Sequence, residues 1–316
     1  NKEKYKEFCK EEKEMPIFTQ SWWLDAVCGN DWDVELIEKD NQIIASMPYF
    51  IKKKMFYKII KMPKLTQSMG PYIKYPQNQQ SGIRLLYEKE VMTELINKLP
   101  SVGKFSQNFN YKITNWMPFY WSGFQQTTYY TYIIDNLNNL ESIFSKFDYS
   151  KRKNIRKAEN IVSLEYDIPS EVFYNHHKIT LAKKGLQISY GRDLFERIYN
   201  EGYKNKSVKT FAAYDKEKQL HAAFFLVWDK LSSYNLISSI DPDYKIYGSS
   251  SLLIRELISY SSKVTKQFDF EGSMIPSVEK SIRKFGAIPK PYFHISKISS
   301  LSYHILQLYK NYINCS

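Results

Sequence analysis

Hydrophobic and polar residues alternate over residues 33–39 (DVELIEK), and the alternation resumes after Asp40 and Asn41 in residues 42–51 (QIIASMPYFI). A period of two sends one face of each segment inward, so the pair predicts a β-hairpin turned at 40–41. Lys52, Lys53 and Lys54 then interrupt the apolar pattern, which returns as a further strand over 55–62. Residues 63–72 are rich in turn formers and predict a loop. From 83 to 99 the apolar positions Leu85, Leu86, Val91, Met92, Leu95, Ile96 and Leu99 recur at the spacing of a helix. A short strand is predicted at 102–109, and 110–126 is aromatic and irregular. Ahead of all this lie a polar helical lead-in over 1–15 and a short helix over 19–29, closed by Gly29.

The second half repeats the theme. The pattern predicts a strand at 129–134, helices at 138–147 and 150–160, a strand at 162–167, and helices at 171–184 and 193–203. Strands at 210–214, 219–228 and 231–240 follow with short turns between them. A polar loop leads into a helix at 249–263, a strand at 267–271, a helix at 277–285 and a strand at 291–298, and the tail at 301–312 has helical spacing. Each half thus offers a meander of antiparallel strands, then a helix, then a strand. That order predicts an α/β (α+β) protein of two related domains, each a mixed, mostly antiparallel sheet flanked by helices. The expected division is 1–127, 128–300 and a helical tail at 301–316.

Composition narrows the class. With 316 residues, 43% apolar and 25% charged, the chain can bury a substantial core, and no apolar run reaches a membrane span. The first residues, NKEKYKEFCKEEKE, are charged and lack the apolar centre of a signal peptide. Three scattered cysteines, Cys9, Cys28 and Cys315, suit a reducing cytoplasm better than a disulfide framework, and the five histidines form no metal-ligand spacing. No Gly-x-Ser-x-Gly elbow is present, which disfavours that class of hydrolase. The net charge of +12 points to anionic partners: nucleic acid, phosphorylated carriers or an anionic membrane face.

The candidate chemistry gathers in the second half. Gly248, Ser249, Ser250 and Ser251 sit where a helix should begin, and a helix start offers unpaired N–H groups and a partial positive charge to an anion. Asp269 and Glu271, two apart at a strand end, are expected to share one face, with Phe270 turned into the core. Either carboxylate could take the proton of an attacking amine. Arg283 and Lys284 could stabilise a developing oxyanion. Lys151, Arg152, Lys153, Arg156 and Lys157 make a basic helix suited to a phosphate-rich ligand such as tRNA. Trp116, Phe119, Tyr120, Trp121 and Phe124 could line an acceptor groove or simply pack.

The order hairpin, strand, loop, helix, strand, helix, strand resembles the GNAT acyltransferase core. In that family a [Q/R]-x-x-G-x-[G/A] loop cradles the pyrophosphate of acyl-CoA; the matching stretch here is Lys245-Ile246-Tyr247-Gly248-Ser249-Ser250. The wording is more similar to the FemAB/FemX type, which has two tandem GNAT-like domains. The pieces that carry this are Phe18-Thr19-Gln20-Ser21, Leu65-Thr66-Gln67, Gly70-Pro71-Tyr72, Ile155-Arg156-Lys157-Ala158, Gly248-Ser249-Ser250-Ser251-Leu252-Leu253, Asp269-Phe270-Glu271-Gly272-Ser273-Met274, Phe285-Gly286 and Pro291-Tyr292-Phe293. The resemblance implies a cytoplasmic N-acyltransferase in which an amine attacks the donor directly. It implies an acyl-CoA donor such as acetyl-CoA on Lys245, Gly248, Ser249, Ser250 and Ser251, with no metal. Glu271, Asp269 and Arg283 would act in catalysis, and Arg152, Arg156 and Tyr292 would bind the acceptor, an amino sugar or cell-envelope precursor in a cleft between domains. Members of the FemX kind use aminoacyl-tRNA instead; where they carry a lysine just before the late Phe-Gly, this chain has Ile282 beside Arg283 and Lys284. The tRNA-dependent alternative and a non-catalytic scaffold therefore stand beside the first reading.

Overall fold

The computed structural model describes residues 1–54, 56–272 and 274–300; the predicted tail helix lies outside the described residues. The chain begins with α1 (Lys2–Glu11), α2 (Ser21–Cys28), β1 (Trp32–Lys39), β2 (Gln42–Lys54), β3 (Tyr57–Lys61), β4 (Tyr72–Ile73), α3 (Ser81–Lys98), β5 (Lys104–Asn108) and α4 (Met117–Trp121). It continues with β6 (Gln125–Ile134), α5 (Leu140–Ser145), α6 (Tyr149–Glu159), β7 (Ser163–Tyr166), α7 (Ser170–Ala182), α8 (Arg192–Lys204), β8 (Val208–Tyr214), β9 (Leu220–Trp228) and β10 (Ser232–Ile240). A 3₁₀ turn (Pro242–Tyr247) leads to α9 (Ser249–Val264), β11 (Gln267–Asp269), α10 (Pro276–Arg283) and β12 (Ile288–Ile298). Among the described residues, no helix is long and apolar enough to cross a membrane.

Two compact units form. Among the described residues, one holds 1–129 together with 291–300; the other holds 130–290. Residues 291–300, read from the sequence as the end of the second domain, thus cluster with the first unit, because β12 pairs antiparallel with β5, His294 opposite Asn108. In the first unit the strands run β1-β2-β3-β5-β12, with β4 on β2. Its core includes Met47, Ile60, Val91, Met92, Leu95, Phe105, Phe109 and Ile295.

Three local expectations change. The lysines at 52–54 do not break the strand: β2 continues through them, paired residue by residue with β3, since the ladder is a backbone bond and tolerates exposed polar side chains. The loop at 63–72 contributes β4 at its end, and the irregular aromatic stretch contains α4, with Pro118 in its first turn. In α3 only Val91, Met92 and Leu95 are buried, while Leu85 and Leu86 are exposed, because helical periodicity reports the helix and not how far its partner surface extends.

In the second unit the strands run β6-β11-β10-β9-β8-β7. All neighbours are antiparallel except β10 and β11, which run parallel and are joined by the crossover helix α9. On α9, Leu252, Leu253, Leu257 and Ile258 are buried at helical spacing against Phe211, Phe224 and Phe268 of the sheet. Truncating a side chain as enclosed as Leu253 to alanine should cost about 2–5 kcal/mol.

Candidate functional site

The parallel pair sets the position of the site. β10 and β11 pair from Ser232 opposite Gln267 to Tyr234 opposite Asp269, and there β11 ends. β10 runs on to Ile240 against β9, with a register shift between Asn235 and Ile237. The strands part company at their carboxyl ends, the usual place for a ligand in a sheet with parallel strands. A cavity of about 760 Å³ opens there, lined by Asn235, Leu236, Ser238 and Ile240 on one side and by Phe270 and Glu271 on the other. Lys151 and Asn154 of α6, Lys184 after α7, Lys245, Ser250 and Ser251 of α9, and Ser277, Ser281 and Ile282 of α10 also line it. All these residues belong to the second unit.

Glu271 is the carboxyl group of this cavity. Its backbone adopts φ 51°, a left-handed conformation unusual for a residue with a Cβ. The residue is half-buried, but Oε1 is closed off from solvent and has no hydrogen-bond partner among the described residues. Burial, and then the charge of Asp269, push its pKa well above the ordinary carboxylate range. Asp269 is fully buried and holds the turn: its Oδ1 accepts from the Thr131 hydroxyl at 2.5 Å and from the Glu271 N–H at 2.7 Å. Thr131 Oγ1 in turn accepts from the Gly272 N–H at 3.1 Å. A Cβ on Gly272 would lie 2.7 Å from Thr131 Cα, so only glycine lets β6 come this close. Asp269 and Glu271 do not share a face, because the strand ends at Asp269 and the left-handed residue breaks the alternation; Phe270 and Glu271 both line the cavity and Asp269 does not.

Three lysines surround the same space. Lys151 Nζ donates to Ser281 Oγ at 2.9 Å and lies 4.4 Å from the centre of the Phe285 ring. Burial, followed by the nearby Lys284 charge, lowers its pKa to about 8. Lys184 is pushed down too, by burial and then by Lys245. Ser250 and Ser251, in the first turn of α9, bring the positive end of the helix to the same cavity.

The loop before α9 is built differently from a simple anion cradle. Gly248 has φ 81°, and a Cβ there would meet the carbonyl oxygen of Asn154 at 2.4 Å, so the glycine admits the backbone of α6. Ser249 is buried and bonded to His221: His221 Nδ1 lies 3.0 Å from Ser249 Oγ, and Nε2 lies 3.0 Å from Asp215 Oδ2. The His221 ring stacks on Tyr244 at 4.2 Å and Tyr247 at 5.3 Å. This chain fixes the loop and engages the Ser249 hydroxyl. Lys183 clamps the start of the loop by pairing with Asp241 and Asp243.

No protein-family model matches the chain, and no curated protein matches its sequence. Solved structures do match it. FemX superimposes with a TM-score of 0.69 at 13% identity, over 98% of each chain. The C-terminal domain of a putative lysylphosphatidylglycerol synthetase from Agrobacterium fabrum gives 0.55 at 11% identity, over 99% of this chain and 96% of that one. L-PGS from Bacillus licheniformis gives 0.56 at 12% identity, over 98% and 96%.

The fold is FemX-like. On that fold the residues singled out from sequence divide sharply. Glu271, Lys245, Ser250 and Ser251 meet at the cavity. Asp269 supports Glu271 from behind, and Gly248 and Ser249 are engaged in the packing of α6 and the His221 chain. Arg283 points elsewhere: its Nε donates to Glu279 Oε1 at 2.9 Å on the exposed side of α10, and it is not among the cavity residues. Arg152 donates to the Ser145 and Phe147 carbonyls at 2.9 and 2.6 Å, closing the end of α5. Arg156 is exposed on the last turn of α6, and Tyr292 belongs to the first unit, its ring 5.8 Å from Tyr129. In the sequence Lys151 is one of five cations on a basic helix and nothing separates it from its neighbours. Lys184, in a Lys-Lys-Gly setting, looks like an ordinary helix end, and Asn235, Ser238 and Ser281 carry no local signature. Among the described residues no cluster of three metal-ligating side chains occurs.

Proposed function

We propose that this chain transfers an acyl or aminoacyl group from an activated, phosphate-bearing donor to an amine, an amino sugar or another cell-envelope precursor, at the cavity of its second unit. Glu271 carries the reading: a carboxyl group at a strand end, with one oxygen unpartnered among the described residues, in a partly apolar cavity that also holds Lys151, Lys184, Lys245 and the start of a helix. The amine nitrogen attacks the carbonyl carbon of the donor ester or thioester. Glu271 receives the proton lost by that nitrogen, the carbon–oxygen or carbon–sulfur bond breaks, and the leaving oxygen or sulfur takes up a proton. A raised pKa brings the carboxyl nearer to working pH, which suits a general base. Lys184, Lys245 and the first turn of α9 are suited to the donor's phosphates, and Lys151 to charge developing beside Ser281. Asp269 positions Glu271 without touching the reacting atoms.

A second donor deserves its own arm. The Asn154 carbonyl packs where a Gly248 side chain would stand, so this glycine serves the packing of α6, and aminoacyl-tRNA is carried as the alternative donor to acyl-CoA. Activity with acetyl-CoA and with charged tRNA should be measured on wild type and Glu271→Gln. Loss of about 10²–10⁴ in turnover with an intact fold is expected; unchanged turnover removes Glu271 from the mechanism. Acetyl-CoA raising the melting temperature selects the first donor, and salt-sensitive tRNA binding selects the second. Failure of both donors to bind leaves the non-catalytic scaffold.

A further inference from the structure

The first unit carries a cationic feature of its own. Residues 41–87 contain seven lysines and one arginine and no aspartate or glutamate. The lysines concentrate in the β2–β3 hairpin, which contributes Lys52, Lys53, Lys58 and Lys61, with Lys54 next to the turn. Lys53 stands directly opposite Lys58 in the ladder. Like charges facing each other across two strands destabilise the ribbon, so their pairing does not serve the hairpin's own stability. Lys52 and Lys61 lie 5.5 and 5.6 Å from the Phe50 ring on the other face of the ribbon. Lysines therefore project from both faces. At the turn stands Phe56, 95% exposed, more than any other large hydrophobic side chain described.

We infer that this hairpin docks on an anionic lipid surface. The Phe56 ring enters the boundary between headgroups and acyl chains, while Lys53, Lys58 and Lys61 stay at the level of the lipid phosphates. An apolar side chain beside basic ones adds the burial of apolar area to electrostatic attraction, the two contributions on which binding to an anionic lipid surface scales. Each lysine near such a surface adds to the attraction; Lys52 is paired with Asp31, whereas Lys53, Lys58 and Lys61 have no carboxylate partner among the described residues. A nucleic acid fits less well. Stacking platforms for bases lie along grooves, whereas this ring stands at the end of a ribbon with lysines on both faces.

The test is sedimentation of the full chain with vesicles of phosphatidylcholine alone or with one quarter phosphatidylglycerol. Binding is expected only to the anionic vesicles and should be abolished in molar salt. The double variant Lys53→Gln, Lys58→Gln should bind about thirtyfold more weakly. Phe56→Ser should weaken binding about tenfold and leave the salt dependence in place. Melting curves of the variants, matched to wild type, show that the fold is retained. Equal binding to neutral vesicles, no binding to anionic vesicles at low salt, or undiminished binding by the hairpin variants overturns the inference. So does retention of single-stranded RNA by the same lysines without any vesicle binding.

Discussion

Gly248→Ala separates two explanations of the glycine that opens α9. If the residue exists for a ligand's close approach, alanine should weaken donor binding and leave stability alone. The structure gives the other answer. A Cβ at 248 would stand 2.4 Å from the Asn154 carbonyl oxygen and 2.9 Å from its carbonyl carbon, both backbone atoms of α6 that cannot rotate away. The backbone there has φ 81°, which costs a residue with a Cβ about 1–2 kcal/mol. Forcing two packed backbones apart adds about 1–3 kcal/mol. The sum is about 2–5 kcal/mol, and for a unit of this size each kcal/mol moves the melting temperature by about 2–4 °C. A urea titration read by circular dichroism, checked by a calorimetric scan, measures it. A loss under about 0.5 kcal/mol would refute the packing argument and return Gly248 to the role of ligand contact.

Three further outcomes follow from the cavity. Because the folded pKa of Glu271 is raised, the folded state holds a proton that the unfolded chain releases, so stability should fall as pH climbs from the usual carboxylate range through that raised value; paired urea titrations should show this slope in wild type and not in Glu271→Gln. Lys151, lowered to about 8, should be about half neutral at pH 8 against about one in 250 for an ordinary lysine. An amine-directed acylating reagent, followed by peptide mass spectrometry, should label it ahead of the surface lysines, and labelling no faster than theirs would contradict the lowered value. Its folded pKa lies below the unfolded one, so its contribution to stability should grow as pH rises from about 8 to about 10. Arg283→Ala should change stability by less than about 0.5 kcal/mol, because its partner Glu279 is one helical turn away on a solvated face; a large loss of turnover in that variant would show that the side chain reaches the reacting atoms after all.

Much of the fold was legible in periodicity. Alternation in β1, the continuous apolar run of β9 and the apolar stripe of α9 report local burial directly, and so the strand and helix order of the second unit emerged from the sequence. The resemblance to the FemX type was legible as well, through the loop at 248–253 and the segment after β11. The site was only half legible. Glu271 announced itself as a carboxylate at a strand end. Its separation from Asp269 did not, because a left-handed residue has no signature in side-chain type when it is glutamate. Lys184, Asn235 and Ser281 come together only through tertiary packing, from three elements far apart in the chain. Gly248 and Ser249 were visible as small residues at a helix start, but what they admit, the backbone of α6 and the ring of His221, lies 94 and 28 residues away.

The return of β12 to the first unit has a bearing on how the chain is made. β5 lies between β3 and β12, and the contact of His294 with Asn108 spans 186 residues. While the chain emerges from the ribosome, β1, β2 and β3 can assemble early, but β5 keeps one bare edge until residues 130–290 have been synthesised. The intervening unit is continuous in sequence and can close on itself during that wait. Its folding draws the ends of a long connection together, and so lowers the entropy that the last strand must overcome to find its place. A chain cut short after residue 290 would keep its cavity and lose the strand that completes the other sheet, leaving an open edge prone to pairing with a second molecule.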